Sequence, residues 1–169
     1  MDFLWAFLVG GAICSVGQVL IDWTKLTTAR ILVIYITLGV ILGGIGGRID
    51  HTIANIRTLS DIAENGGRGF LIGNDAVLTV IKDNIAFPET SSGYISVFSN
   101  EKGTAVTEKG LKYTLENTPL TPSTTLGTSN EFVGERAQIS VKDGSLLVIW
   151  YENQEIFLKN LNYYIKKEL

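Results

Sequence analysis

Ala137-Gln138-Ile139-Ser140-Val141-Lys142-Asp143-Gly144-Ser145-Leu146-Leu147-Val148-Ile149-Trp150-Tyr151 is the stretch that decides the fold class. Ala137 to Val141 alternates small or apolar with polar residues, and Ser145 to Tyr151 is rich in β-branched and aromatic ones. Between them Lys142-Asp143-Gly144 supplies residues that tolerate a left-handed turn, so the spacing predicts a β-hairpin.

Working back along the chain, Phe70 to Ile72, Ala76 to Ile81, Ile85 to Phe87 and Tyr94 to Phe98 are short runs of the same kind. Gly73-Asn74-Asp75 and Lys82-Asp83-Asn84 punctuate them as turns. Many short strands at this spacing predict a mainly β fold, a β-sandwich or flattened barrel. On either side the periodicity changes to helical. Ile53, Ile56, Leu59, Ile62 and Ala63 form an apolar stripe opened by Gly46-Gly47 and closed by Asn65-Gly66-Gly67, with Asp50 as the expected cap. From Glu155 to Lys167, Phe157, Leu161, Tyr164 and Ile165 recur at helical spacing.

The amino-terminal part is of another kind. No charged residue occurs from Phe3 to Ile21 or from Ile31 to Gly47; Asp22, Lys25 and Arg30 lie between the runs. The first run is long enough for a membrane helix, with Trp5 as an interfacial anchor and no charged region before it of the kind a signal peptide carries. The second run is short for a span and rich in β-branched residues, so a membrane helix and a buried parallel strand both remain open. If both runs cross, Lys25 and Arg30 favour a cytoplasmic loop and place both termini outside. The expected organisation is an apolar, membrane-inserting segment at 1–43, a glycine turn and helix at 44–66, a β domain at 67–151 and a carboxyl-terminal helix at 152–169.

With 169 residues and a net charge of −3, the chain lacks the clustered cations that a nucleic-acid surface requires. Cys14 is the only cysteine and His51 the only histidine, which excludes a disulfide framework and multi-histidine metal sites. Gly46, Gly47 and Arg48 at a helix start have the composition of a phosphate-binding turn, since free N–H groups point outward there and glycine permits close approach. The commoner role of such a turn is purely structural.

Longer phrases change that balance. Gly46-Gly47-Arg48-Ile49-Asp50-His51 with Ala54-Asn55, then Gly110-Leu111-Lys112-Tyr113 and Thr128-Ser129-Asn130-Glu131-Phe132, resemble the thiamine pyrophosphokinase family over about Gly43 to Trp150. The resemblance implies thiamine as ligand, with Lys112, Tyr113, Thr128, Ser129 and Asn130 as thiamine-binding residues. Ser129 and Asn130 offer a hydroxyl and an amide to an aminopyrimidine, and Tyr113, Phe132 or Trp150 an aromatic face. It also implies Arg48, Asp50 and His51 as catalytic cleft residues and Gly46, Gly47 and Arg48 as phosphate contacts. ATP and Mg²⁺ would be cofactors, the assembly a homodimer and the location cytoplasmic. The family's metal-binding carboxylates lie in an amino-terminal half that this chain does not carry; only Asp2 and Asp22 precede Arg48. The expectation is therefore thiamine binding without pyrophosphoryl transfer by this chain alone, with metal ligands unknown.

A second resemblance covers the amino-terminal residues. Phe3-Leu4-Trp5-Ala6-Phe7-Leu8-Val9-Gly10-Gly11-Ala12-Ile13-Cys14, Gly17-Gln18, Leu20-Ile21-Asp22 and Thr24-Lys25-Leu26-Thr27, continued by Ala29-Arg30-Ile31-Leu32-Val33-Ile34-Tyr35 up to about Gly43, resemble the start of the stage V sporulation AE membrane protein. It implies membrane contact through residues 3–21, and offers an alternative in which the chain is a sporulation-type membrane protein fragment with an incidental soluble tail.

Overall fold

The computed structural model describes Ser15, Val40–Leu42, Ile45 and residues 48–165. The chain divides into two compact units, Met1–Gly39 and Val40–Leu169. Most of the run at 3–21, most of that at 31–47, Gly46 and Gly47 lie outside the described residues. Among those described, no helix is long and apolar enough to cross a membrane.

The second unit begins with a short strand, β1 (Val40–Leu42), so the strand alternative for the second apolar run is realised over these three residues. β1 runs parallel to β2 (Phe70–Ile72), and such a pair needs a crossover, here the helix α1 (Ile49–Glu64). Arg48 takes the cap position of α1 without any side-chain capping bond. Asp50 is therefore not the cap; it lies inside the first turn, where its carboxylate turns back to Arg48. The stripe on α1 is buried only in its second half, at Leu59, Ile62 and Ala63, while Ile53 is exposed. At the other end Gly66 adopts φ +76°, and Gly66 and Gly67 donate to the carbonyls of Ala63 and Ile62, as a left-handed helix stop requires.

The remaining strands are β3 (Val77–Ile81), β4 (Asn84–Phe87), β5 (Tyr94–Ser99), β6 (Thr104–Lys109), β7 (Leu115–Leu120), β8 (Asn130–Glu131), β9 (Ala137–Lys142) and β10 (Leu146–Trp150). They form two sheets, in the orders β1-β2-β3-β10-β5-β8 and β4-β9-β6-β7, antiparallel apart from the β1–β2 edge. Two separate sheets make this a sandwich rather than a barrel.

The Lys142-Asp143-Gly144 turn is present, with Asp143 at φ 58° and Gly144 at φ 142°, but it closes no hairpin. β9 pairs with β4 and β6, whereas β10 pairs with β3 and β5 in the other sheet. The physical reason is burial. Ile139 and Leu146 are fully enclosed, so the inward faces of the two strands are best covered by each other across the interior. The turns after β3 and β5 make the same change of sheet.

The core joins Val77, Ile81, Ile85, Val97, Val106, Ile139 and Val148 between the sheets. At one end α2 (Gln154–Ile165) closes it with Phe157 and Tyr164. Trp150 lies 5.3 Å from Phe87 and 5.2 Å from Tyr164, centroid to centroid, and is a core residue. Ile165 is exposed; the inward position left on the helix belongs to Asn160, whose amide donates to Glu152 at 3.1 Å. The same carboxylate accepts the Trp150 indole N–H at 3.1 Å and the Tyr164 hydroxyl at 2.9 Å. Burial, and then Glu152, raise the Tyr164 hydroxyl well above the usual phenol range. Arg68 is a second tie, donating to the Asp83 carboxylate, the Asn84 carbonyl at 2.8 Å and the Tyr164 carbonyl at 2.7 Å.

Candidate functional site

Between β6 and β7 the chain turns at Gly110 and runs as a short strap, Leu111 to Tyr113. Gly110 has φ +69° and lies against the Arg136 carbonyl, a conformation and a closeness that only glycine permits. The strap passes alongside β8: Leu111 bridges Phe132, and the Lys112 N–H donates to the Glu131 carbonyl at 3.0 Å. The two phrases 110–113 and 128–132, separated by β7 and a loop, are thus brought side by side.

Asn130 is the joint. Its Oδ1 accepts the N–H of Tyr113 at 3.0 Å and that of Glu131 at 2.9 Å. Its Nδ2 donates to the Tyr113 carbonyl and to Glu108 Oε2, both at 2.7 Å. A carboxamide has two donor hydrogens and an oxygen with two lone pairs, so Asn130 is fully engaged by the protein. It is also buried, and its amide builds the site's frame rather than facing outward.

What faces outward is the set around it. Tyr113 is 61% and Tyr94 54% exposed. Lys112 pairs with Glu131 at 2.9 Å and stands 5.6 Å from the centre of the Tyr113 ring. Ser129 is exposed in a left-handed conformation, φ 57°, with its N–H donating to Ser96 Oγ at 3.0 Å. Thr128 donates its hydroxyl to the Thr125 carbonyl at 2.7 Å. Of the aromatic candidates, Trp150 is in the core and Phe132 is half-buried, tilted against Phe87 at 5.2 Å; Tyr113 alone is freely presented.

Arg48, Asp50 and His51 stand together at the exposed start of α1. Arg48 grips Asp50 through Nε at 3.2 Å and Nη2 at 2.5 Å, and this pairing lowers the Asp50 pKa. Among the described residues no group of three His, Cys, Asp or Glu side chains is arranged to hold a metal ion.

Two contributors were not evident from sequence. Tyr94 opens β5 opposite Glu131, and only this register brings its ring to the edge. Glu108 stands in a run, Thr104–Lys109, whose buried charge and neighbouring Pro119 obscured a strand pair; Pro119 is tolerated because β7 is an edge strand. A separate cleft of about 660 Å³ lies between the start of β9 and α2, lined by Glu89, Arg136, Lys159 and Tyr163 among others.

Fold and edge define the class: a two-sheet β-sandwich domain with an exposed aromatic and polar rim at the β5–β8 edge. The carboxyl-terminal part of the chain resembles thiamine pyrophosphokinase, in sequence and in fold, through its vitamin B1 binding domain. Residues 82–146 match the family model described as thiamin pyrophosphokinase, vitamin B1 binding domain, a span that contains both phrases of the edge. The Saccharomyces cerevisiae thiamine pyrophosphokinase is 32% identical over 132 residues, covering 71% of this chain and 40% of the yeast protein. The Bacillus subtilis thiamine pyrophosphokinase structure is 27% identical with a TM-score of 0.60, covering 68% of this chain and 56% of that one. The Geobacillus thermodenitrificans thiamin pyrophosphokinase structure is 26% identical with a TM-score of 0.56, covering 67% and 53%. The chain thus spans about half the length of these solved relatives, and less of the yeast one. Residues 2–54 match a second family model, the SpoVAC/SpoVAEB sporulation membrane protein. That match extends beyond Gly43 and includes Arg48, Asp50 and His51.

Proposed function

We propose that the β domain binds thiamine at the β5–β8 edge and that this chain does not by itself transfer a pyrophosphoryl group. The observation that carries the reading is the joint at Asn130, which holds the 111–113 strap against the 128–131 segment. Tyr113, with Tyr94 nearby, offers aromatic faces to the pyrimidine and to the cationic thiazolium. Thr128 and Ser129 supply hydroxyls, and Glu131, now paired with Lys112, brings a carboxylate to the same rim.

ATP and Mg²⁺ would supply the phosphoryl donor and neutralise its charge. The described residues do not fit that role. They contain no group of three His, Cys, Asp or Glu side chains arranged to hold a metal ion, and the Asp50 carboxylate is engaged by Arg48. Gly46, Gly47, Arg48, Asp50 and His51 belong to the proposal as the border of a cleft whose other wall a partner would provide. A homodimer and a cytoplasmic location are proposals from the same resemblance.

Isothermal titration of the full-length chain with thiamine tests the binding; a folded protein giving no heat removes the site. Incubation with thiamine, ATP and Mg²⁺ tests the rest, since thiamine diphosphate formed by the purified chain alone would overturn the claim of inactivity. A second reading, membrane attachment through residues 3–21, is favoured by the sporulation-family match. Recovery of the intact chain in the soluble fraction would contradict it.

A further inference from the structure

Glu108 lies on β6 with its side chain directed between the sheets and is 1% exposed. Its Oε2 accepts from Asn130 Nδ2 at 2.7 Å, a bond that crosses from one sheet to the other. Its Oε1 is enclosed without a hydrogen-bond partner. A buried carboxyl with one oxygen unsatisfied opposes folding, so its presence calls for a role.

We propose that Glu108 is a positioning residue of the vitamin site, acting through Asn130 to hold the Leu111–Tyr113 strap in place. The proposal rests on the thiamine-binding reading above. The two ends of a carboxamide are nearly equal in shape, and its orientation is decided by the partners it meets. Glu108 accepts one Nδ2 hydrogen, which leaves the other for the Tyr113 carbonyl and turns Oδ1 to the N–H groups of Tyr113 and Glu131. Without an acceptor at position 108, a buried N–H is left unsatisfied and the strap loses one of its fixed points. Tyr113 and Lys112, which the strap presents to solvent, then lose their placement.

The charged groups on the elements around Glu108 are Lys109 on its own strand, Glu116 on β7, the exposed Lys142 at the far end of β9, and Lys112 and Glu131 paired with each other at the rim; β9 faces Glu108 with Ile139. Lys109, Glu116 and Lys112 are exposed and Glu131 is half-exposed. The carboxyl therefore has burial as its dominant influence, opposed by the bond from Asn130, and titrates at about 7.

The test uses the full-length chain and two variants, Glu108→Gln, which keeps an acceptor oxygen, and Glu108→Met, which fills the space without one. Amide hydrogen exchange is followed at Tyr113 and Glu131, and thiamine affinity by calorimetry. We expect Glu108→Met to speed exchange at both amides at least tenfold while Val97 and Ile139 stay protected, and to weaken thiamine at least fivefold. Glu108→Gln should restore both within about twofold. In the wild type the Tyr113 amide resonance should shift with a midpoint near pH 7, absent in Glu108→Gln; this readout stands even if Glu108→Met does not fold. An unchanged Tyr113 exchange rate, or unchanged thiamine affinity in Glu108→Met, overturns the proposal and leaves the binding reading intact. Wild type that binds no thiamine, yet shows Glu108-dependent exchange, overturns both the binding reading and any role of Glu108 in a vitamin site.

Discussion

The backbone of Gly110 is pressed against the carbonyl oxygen of Arg136, so closely that a side-chain carbon on Gly110 would collide with it. This contact joins the start of the strap to the residue before β9 and fixes where Lys112 and Tyr113 emerge. Gly110→Ala adds a left-handed non-glycine residue to a backbone clash. We expect a loss of about 3 kcal/mol or more, read from urea denaturation midpoints. Gly134→Ala, at φ 77° with open space around it, should lose only about 1 kcal/mol.

Glu108 makes stability depend on pH. Below its unfolded value of 4.5 the carboxyl is protonated in both states and contributes no difference. As pH rises from there the unfolded chain releases the proton while the folded protein keeps it, up to about 7. Stability therefore falls across this window, by about 3 kcal/mol in total, and is level in this respect above it. The difference between wild type and Glu108→Gln in denaturant midpoints from pH 4 to 8 isolates the effect. A constant difference would show that the carboxyl has the same pKa in the folded and unfolded chain.

Glu152 gathers three donors from two elements, the Trp150 indole, the Asn160 amide and the Tyr164 hydroxyl. Glu152→Ala leaves all three without their acceptor at the closed end of the core. The expected cost is about 3 kcal/mol, with tryptophan emission changed before global unfolding. Loss of helix signal at lower urea than loss of sheet signal would show that α2 detaches first.

Tyr113 is mostly exposed and contributes little to the core. Tyr113→Ala should leave the thermal midpoint within about 2 °C. On the thiamine-binding reading, it should weaken the vitamin by roughly tenfold, as expected for loss of an aromatic face against a cationic ring. Equal affinity in calorimetry would move the aromatic contact to Tyr94.

How far the chain can be read without its structure is clearest at Phe70–Ile72 and Asn84–Phe87. Their strand positions follow from apolar runs bounded by turn residues, and the structure places them within a residue. Thr104–Lys109 and Leu115–Leu120 escaped the same reading because a buried glutamate and an edge proline contradict the usual strand pattern. The phrases Gly110–Tyr113 and Thr128–Phe132 were legible as a pair, but not the joint between them. Asn130 looks like a ligand group in sequence, since nothing local reveals that the strap's own N–H and C=O engage its amide.

By itself the sequence determined local matters: where both helices and the strands with a plain apolar pattern lie, where glycines must turn, and which family the two phrases resemble. These depend on backbone dihedral preference and on which face of an element is apolar, both encoded within a few residues. Only the tertiary structure decided that Lys142-Asp143-Gly144 turns between sheets, that Trp150 is core, and that Glu108 reaches Asn130 across the interior. Those outcomes depend on which distant surface covers each buried face, and that is a competition among the strands of the whole domain.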